Sequence, residues 1–287
     1  PSMNIASWVP VDHDPVPANV AAWCQDHLTI AMSRFGQRKL AEVGISEDVH
    51  YIPHALEPAF RPTPLLPTGQ TVRESMRLPE SAFVVMIAAA NHGTALNDRK
   101  SFSEMFQAFG IFAASHPDAS LYVHSATMEP GGIPLRILAE ACGIKPAQIG
   151  FPQQWAYKAG DHTAETMAAL YSAADVLLAT SRGEGFGIPV IEAQACGTPV
   201  IVSDWTAQPE LLRAGWKVPV QPLWDPHQSA WWGLPSVLAI VEALEEAYAR
   251  RGDAELSAQA QTVLPEYDFD AVYDGSWRPL VAEMERR

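Results

Sequence analysis

The chain has 287 residues, 48% of them apolar and 18% charged, with a formal charge of −14. That length suits one large domain or two ordinary ones. The composition excludes a globally disordered chain, and the acidity excludes a general nucleic-acid binder, whose surface is normally basic on one face. Cys24, Cys142 and Cys196 stand far apart and form no CxxC pair. They read as buried thiols in a reduced compartment rather than as a disulfide framework or a metal site. The opening residues lack a basic stretch followed by an apolar run, so they do not read as a signal peptide. No apolar window is long enough for a membrane span. The expected location is the cytoplasm, with a peripheral position at a membrane surface left open.

Strand and helix patterns then alternate along the chain. IASWV reads as a short strand, and LTIAM at 28–32 as a second. Ser33 suits the N-cap of a helix that closes at Gly44, and DVHYI at 48–52 reads as a third strand. Pro53, Pro58, Pro62, Pro64 and Pro67 follow. Each removes a backbone donor and fixes φ, so an extended linker is expected.

Beyond the linker, FVVMIAAA at 83–90 is a continuous apolar run, the pattern of a strand covered on both faces. Phe102, Met105, Phe106 and Phe109 recur at helical spacing. LYVHS at 121–125 and DVLLAT at 175–180 are further strands, with helices expected at 134–142 and 164–173. A helix from Ile188 stops at Gly197, and PVIVS follows it as a strand. Repeated β-α units of this kind predict a parallel sheet with helices on both faces. The tail changes character: WWGLPS reads as a loop, Ser236 as the N-cap of a helix to about Arg251, and two more helical stretches finish the chain. Trp231 and Trp232 are expected to pack the tail helices against the body.

The stretch TSRGEGFGIPVIEAQACGTPVIVSD, from Thr180 to Asp204, carries the chemistry. It reads as strand, glycine-rich loop, helix, glycine stop and strand. Gly183, Gly185 and Gly187 permit a tight turn and close approach of a ligand to the backbone. Pro189 suits the first helical turn. Free loop amides and the positive end of the helix dipole then converge on one point, a seat for phosphate. Glu184 and Glu192 flank that seat with seven residues between them. A carboxylate against phosphate is repulsive, so both make better acceptors for hydroxyls on either side of it: a sugar and a ribose.

EGFGIPVIE resembles the E-x7-E motif of retaining GT-B glycosyltransferases, especially family 4, and its surroundings from Tyr171 to Asp204 resemble that family throughout. The resemblance implies that Glu184 holds the donor sugar. It implies that Gly185, Phe186, Gly187 and Ile188 line sugar and diphosphate, and that Glu192 holds the ribose. In NHGTALNDRKSF it places Gly93 against the donor and Arg99 and Lys100 against the diphosphate. Cations there stabilise charge that grows on the leaving group. SRFGQRKL and YIPHALEPAFRP resemble the family's exit from its first domain. Ala55 and Glu57 replace the usual Gly and Asp, so His54 is given no catalytic role.

The implied architecture is α/β of the GT-B type, with two Rossmann-like domains and tail helices that cross back. The expected divisions are an incomplete acceptor-side domain at 1–56, a linker at 57–71, a nucleotide-sugar-binding domain at 72–235 and tail helices at 236–287. Three strands in the first unit are few for an independent domain. A partner chain or second copy completing it is therefore an expected partner, beside the nucleoside-diphosphate-sugar donor and an acceptor hydroxyl on a glycan, lipid or protein. The implied reaction is retaining transfer with no cofactor and no metal. A donor-binding subunit inactive without its partner is the alternative. A sugar-nucleotide epimerase of the same fold is less favoured. An NAD-dependent enzyme has no support, since no GxGxxG follows a strand with an acidic residue about 20 residues later. The nucleotide base is expected near 149–152.

Overall fold

A computed structural model describes residues 5–45, 49–92 and 98–286. The chain opens with a small parallel sheet. Its strands are β1 (Ala6–Val9), β2 (Leu28–Ala31) and β3 (His50–Tyr51), in the order β1-β2-β3. Ala6 lies opposite Leu28, and Ile30 opposite His50. Helix α1 (Ala18–Gln25) joins the first two strands, and α2 (Arg34–Glu42) the next two. Ser33 starts α2 as its sequence position requires: the Ser33 hydroxyl accepts from Gly36 N at 3.0 Å, satisfying one of the orphan first-turn amides. Phe35 and Leu40 turn inward to meet Val9, Val11 and Ala31. Strand β3 is shorter than the 48–52 expected from sequence, and Asp48 lies outside the described residues.

Residues 57–71 form neither helix nor strand, as the prolines require. The Thr71 side chain then accepts from Glu74 N while Glu74 accepts from Thr71 N, a capping box that starts α3 (Val72–Met76). After it comes the main sheet: β4 (Phe83–Ala88), β5 (Ala119–His124), β6 (Ile149–Gly150), β7 (Val176–Ala179), β8 (Val200–Ser203) and β9 (Gly215–Val218). All pairs are parallel, in the order β6-β5-β4-β7-β8-β9. The crossovers are α4 (Phe102–Ser115), α5 (Leu135–Ala141), α6 (Gln154–Ala159), α7 (Ala164–Ala173), α8 (Ile188–Ala195) and α9 (Gln208–Leu211). One sheet face packs Val84, Met86 and Leu177 against α7 and α8. The other packs Phe83, Val85 and Ile87 against the Phe102, Phe106 and Phe109 stripe of α4. A strand buried on both faces needs the unbroken apolar run that β4 shows.

The segment expected as a loop at WWGLPS is a strand. β10 (Val220–Asp225) and β11 (Ala230–Pro235) pair antiparallel as a hairpin, with Trp224 opposite Trp231 and Asp225 opposite Ala230. Trp231 is exposed and Trp232 buried, the two-residue alternation of a sheet with one wet face. Gly233 stands where Trp205 packs against the strand, with no room for a Cβ, which explains a glycine inside a strand. The ring and backbone contacts of these tryptophans run to other segments than the tail helices. Trp232 lies 5.0 Å from the His13 ring, Trp231 lies 4.9 Å from Trp224, and Trp231 exchanges backbone hydrogen bonds with Asp14.

Ser236 caps α10 (Val237–Ala249), whose Ile240 and Leu244 join the α4 side of the core. The chain then breaks into shorter pieces than the two stretches expected: α11 (Ala254–Ala260), α12 (Leu264–Tyr267), α13 (Phe269–Val272) and α14 (Arg278–Met284). These cross back to the small sheet. Leu56 N donates to Tyr267 O at 2.7 Å, Val272 and Leu280 pack on Ile30 and Ile52, and Trp277 meets Trp8 edge-on at 5.3 Å. No described helix is long and apolar enough to cross a membrane.

Candidate functional site

The strand order of the main sheet reverses between β4 and β7. Loops leaving the carboxyl ends of two such strands diverge to opposite faces, and the crevice between them is where open α/β sheets bind ligands. Here the loop after β4 carries Arg99 and Lys100, and the loop after β7 carries Glu184.

Asp98 fixes the first loop. Its carboxylate accepts from Phe102 N at 2.9 Å and Ser103 N at 2.7 Å, so the start of α4 is satisfied by its own chain. That anchoring aims the next two side chains at the second loop. Lys100 Nζ lies 2.5 Å from one Glu184 oxygen, and Arg99 Nη1 lies 3.3 Å from the other. Arg99 also donates to Gly183 O at 3.0 Å. Beneath them Arg182 and Glu104 form a buried pair at 2.7 Å, and Arg182 N donates to Arg99 O. Burial pushes the Glu104 carboxyl above its usual range despite Arg182. Burial pushes Glu184 upward as well, but Lys100 and Arg99 outweigh it and hold the carboxyl below the ordinary value. Glu184 thus meets both cations at once, while the Asp98 carboxylate is turned to the first amides of α4.

The glycine loop is held by Thr206, whose hydroxyl accepts from Glu184 N at 3.0 Å. It ends at Gly187, with φ of 113°, a conformation open to glycine. No side chain caps α8 after it. Pro189 has no N–H and Val190 N donates to Gly187 O at 2.9 Å, so the amides of Gly187 and Ile188 are those that face an anion at the helix start, where the dipole favours one. Gly183 and Gly185 also permit a close approach within the chain, to segment 10–12. A Cβ on Gly183 would lie 2.1 Å from Asp12 O, and one on Gly185 would lie 2.5 Å from Pro10 Cβ. The loop following β1 is therefore pressed onto the glycine loop.

Phe186 is buried, with its ring 5.1 Å from His54 and 5.7 Å from Tyr267. It braces the loop between the small sheet and the tail. Ile188 is exposed at the start of α8. Glu192, one turn further on, accepts from Tyr171 OH at 2.8 Å. Burial pushes its carboxyl up to about 7, with Glu57 adding to the rise. Gly93 lies outside the described residues. The structure therefore brings together Arg99, Lys100 and Glu184, and it places Glu192 on Tyr171 in the neighbouring helix. Sequence reasoning missed Asp98, Glu104, Tyr171 and Thr206. Only Asp98 left a signal, an acidic residue just ahead of a helical pattern. The other three act through residues distant in the chain. Among the described residues no three His, Cys, Asp or Glu side chains are grouped to hold a metal ion.

Residues 100–230 match the family described as Glycosyl transferases group 1. The serotype-specific mannosyltransferase WbdA of Escherichia coli is 26% identical over 159 residues, covering 55% of this chain and 17% of that protein. The D-inositol 3-phosphate glycosyltransferase of Arthrobacter sp. (strain FB24) is 28% identical over 198 residues, covering 68% of this chain and 40% of its own length. The chain thus spans well under half of the curated relatives it matches. Among solved structures, a glycosyltransferase from Rickettsia africae ESF-5 superposes with a TM-score of 0.70 at 15% identity, over 96% of this chain and 68% of that one. Anabaena Alr3699/HepE, solved with UDP and glucose, gives 0.69 at 16% identity, over 92% and 66%. Residues 100–230 are therefore similar to the Glycosyl transferases group 1 domain, within an α/β chain that has the fold of the GT-B glycosyltransferases.

Proposed function

We propose that this chain binds a nucleoside-diphosphate sugar between the loops after β4 and β7, as part of a retaining family 4 glycosyltransferase. The observation that carries the reading is the convergence of Arg99, Lys100 and Glu184 at the strand-order reversal, beside the uncapped start of α8. The diphosphate takes Arg99 and Lys100 from Glu184. Arg99 offers a planar pair of donors and Lys100 a point charge. Glu184, released from them, accepts from the sugar hydroxyls, with Gly93 and Gly185 alongside. Gly187 and Ile188 present amides to the phosphates while Phe186 holds the loop in place, and Glu192 accepts from the ribose. Negative charge grows on the diphosphate as the glycosidic bond breaks, and cations already in position stabilise it without reorganising. That role needs no metal and no cofactor. The acceptor hydroxyl attacks on the face from which the diphosphate leaves, and the leaving phosphate takes its proton. No protein nucleophile is assigned.

Calorimetric titration with UDP, GDP and ADP tests the reading. One nucleotide binds, and binding is lost in Arg99→Ala/Lys100→Ala. Glu184→Gln keeps or improves nucleotide affinity, since it removes the competing carboxylate, yet lowers turnover. Failure of a folded chain to bind any nucleotide, or binding indifferent to the double substitution, refutes the site. A second reading is a donor-binding part that transfers only when another chain completes the small sheet, and the three described strands of that sheet favour it. Transfer by this chain alone would eliminate the second reading.

A further inference from the structure

A cavity of 640 Å³ opens on the flank of the main sheet, over β5 and β6. Its floor continues the sheet face that carries Val84, Met86 and Leu177 further in. At the sheet edge the residues on that face become small: Ser120 pairs with Val84, and Gly150 with Tyr122. A parallel sheet is normally covered on both faces, and here α3 and α7 leave this corner open. The volume lies within the range of small-molecule sites, about 300–1,000 Å³. The cavity is apart from the crevice. Val84 and Ser120 stand near the amino ends of β4 and β5, about 13 Å below their carboxyl ends at about 3.3 Å per residue. Arg99, Lys100, Glu184 and Glu192 do not line it, and only its upper rim, segment 150–153, approaches the expected place of the nucleotide base.

The lining selects by charge. The chain is 18% charged, yet no Asp, Glu, Lys or Arg stands among the described residues around the cavity. An ion entering it would give up water and meet no counter-charge, which is costly. Val72 and Met76 of α3, Leu170 of α7, and Leu66, Leu78 and Val84 supply an aliphatic wall. Ser75, Ser120 and Thr166 add hydroxyls that rotate to suit a partner. A saccharide would leave most of its hydroxyls against hydrocarbon, unpaired. A neutral, mostly apolar molecule with one or two polar atoms gains instead by burying its surface, and a floor of two paired strands with small residues on it suits a planar ring. The walls are fixed from outside the cavity. A capping box holds α3, and the Gln148 amide donates to Ala113 O at 3.5 Å and Ala119 O at 3.4 Å. The rim is tied to the loop after β5, because Gln154 accepts from Thr127 N at 2.8 Å and donates to Pro152 O at 2.9 Å and Ser125 O at 3.3 Å.

We propose that this cavity binds a neutral, ring-sized apolar molecule that acts as an effector of nucleotide binding. The effector role rests on the donor reading above, with the base near 149–152, whereas binding of the ring does not. An occupant supports segment 150–153 from beneath and keeps it from sinking toward Ser120. A nucleotide that rests on the other side of that segment then binds more tightly, and by linkage it tightens the hold on the ring by the same factor.

Fluorescence titration of the full chain with N-phenyl-1-naphthylamine, a neutral probe that brightens in apolar surroundings, tests the proposal. The competitors are 2-naphthol and 2-naphthoate, the same rings without and with a charge at pH 7, and 1-dodecanol as a neutral chain. Ser120→Leu fills the floor. Ser75 is on the exposed side of α3, so Ser75→Phe obstructs the mouth without disturbing the core. The expected result is saturable brightening by the native chain, reversed by 2-naphthol, about tenfold or more weakly by 2-naphthoate, and lost in both variants. UDP, GDP and ADP are then titrated with and without saturating 2-naphthol. The nucleotide that binds should do so about fivefold or more tightly in its presence, an effect absent from both variants, whose own nucleotide affinity stays native. No saturable brightening, equal brightening in all three proteins, or equal competition by 2-naphthol and 2-naphthoate overturns the site. Stronger displacement by 1-dodecanol than by 2-naphthol overturns the ring in favour of a chain. Ring binding that leaves nucleotide affinity unchanged overturns the effector role alone. Ring binding by a chain that takes no nucleotide overturns the donor reading and leaves the cavity standing.

Discussion

Glu192→Gln should make the protein more stable in alkaline solution and leave it nearly unchanged in acid. Burial raises the Glu192 carboxyl from an ordinary value of 4.5 to about 7. The unfolded chain gives up this proton near its ordinary value, whereas the folded chain keeps it until about 7. Between those limits the native state binds more protons, so stability falls as pH rises. Above 7 the whole penalty is present, about 3 kcal/mol at about 1.4 kcal/mol per unit. Glutamine never ionises, and its amide oxygen can still accept from Tyr171, which donates to Glu192 at 2.8 Å. Urea unfolding at pH 5 and pH 8 should therefore show the advantage of the glutamine variant growing by about 2.5 kcal/mol. A difference that does not change with pH, or a native chain that gains on the variant at pH 8, would refute the argument. The same group links binding to protons. On the proposed donor reading, ribose hydroxyls donate to Glu192 and favour its carboxylate, so nucleotide binding near pH 7 should release about half a proton. Calorimetry in buffers of different ionisation enthalpy measures that release, which should vanish in Glu192→Gln.

Arg182→Met should cost about 3–5 kcal/mol by urea unfolding, because it leaves the Glu104 carboxylate buried without its partner. Glu104→Gln/Arg182→Met should recover much of that loss, and a single variant within 1 kcal/mol or so of the native chain would show that the pair is dispensable. Gly183→Ala should lower the melting temperature by several degrees, since its methyl would meet Asp12 O at 2.1 Å. Gly275→Ala, where nothing stands within 4 Å, is the control; equal melting of the two would mean that segment 10–12 does not press on the glycine loop.

Sequence patterns revealed those parts of the molecule whose causes are local. Strand β4 is legible because burial on both faces demands an unbroken apolar run, and α2 because Ser33 and the inward Phe35 and Leu40 lie within one helix. Strand β11 was obscured because Gly233 and Pro235 look like turn residues. What makes them tolerable is external: Trp205 packs where the Gly233 side chain would be, and Pro235 ends the strand. The site divides in the same way. Its glycine loop and two acidic residues stand out in a short stretch. That Arg99 and Lys100 hold Glu184, or that Gly183 receives the backbone of Asp12, depends on contacts between segments far apart in the chain. Hydrophobic periodicity carries no record of such contacts.

The tail that covers the small sheet has a consequence for synthesis. Ile30 and Ile52 are buried by Val272 and Leu280, residues that leave the ribosome roughly 220 positions later, a delay of tens of seconds at about 5–20 residues per second. Until then the face of β1–β3 that carries Ile30 lacks its cover, while the main sheet can already close around α4. That face of the small sheet would thus stay uncovered while roughly 220 further residues are made. Chaperone dependence and low yields on expression should therefore track changes to α13 and α14, far from the crevice, more closely than changes to Glu184 or Arg99.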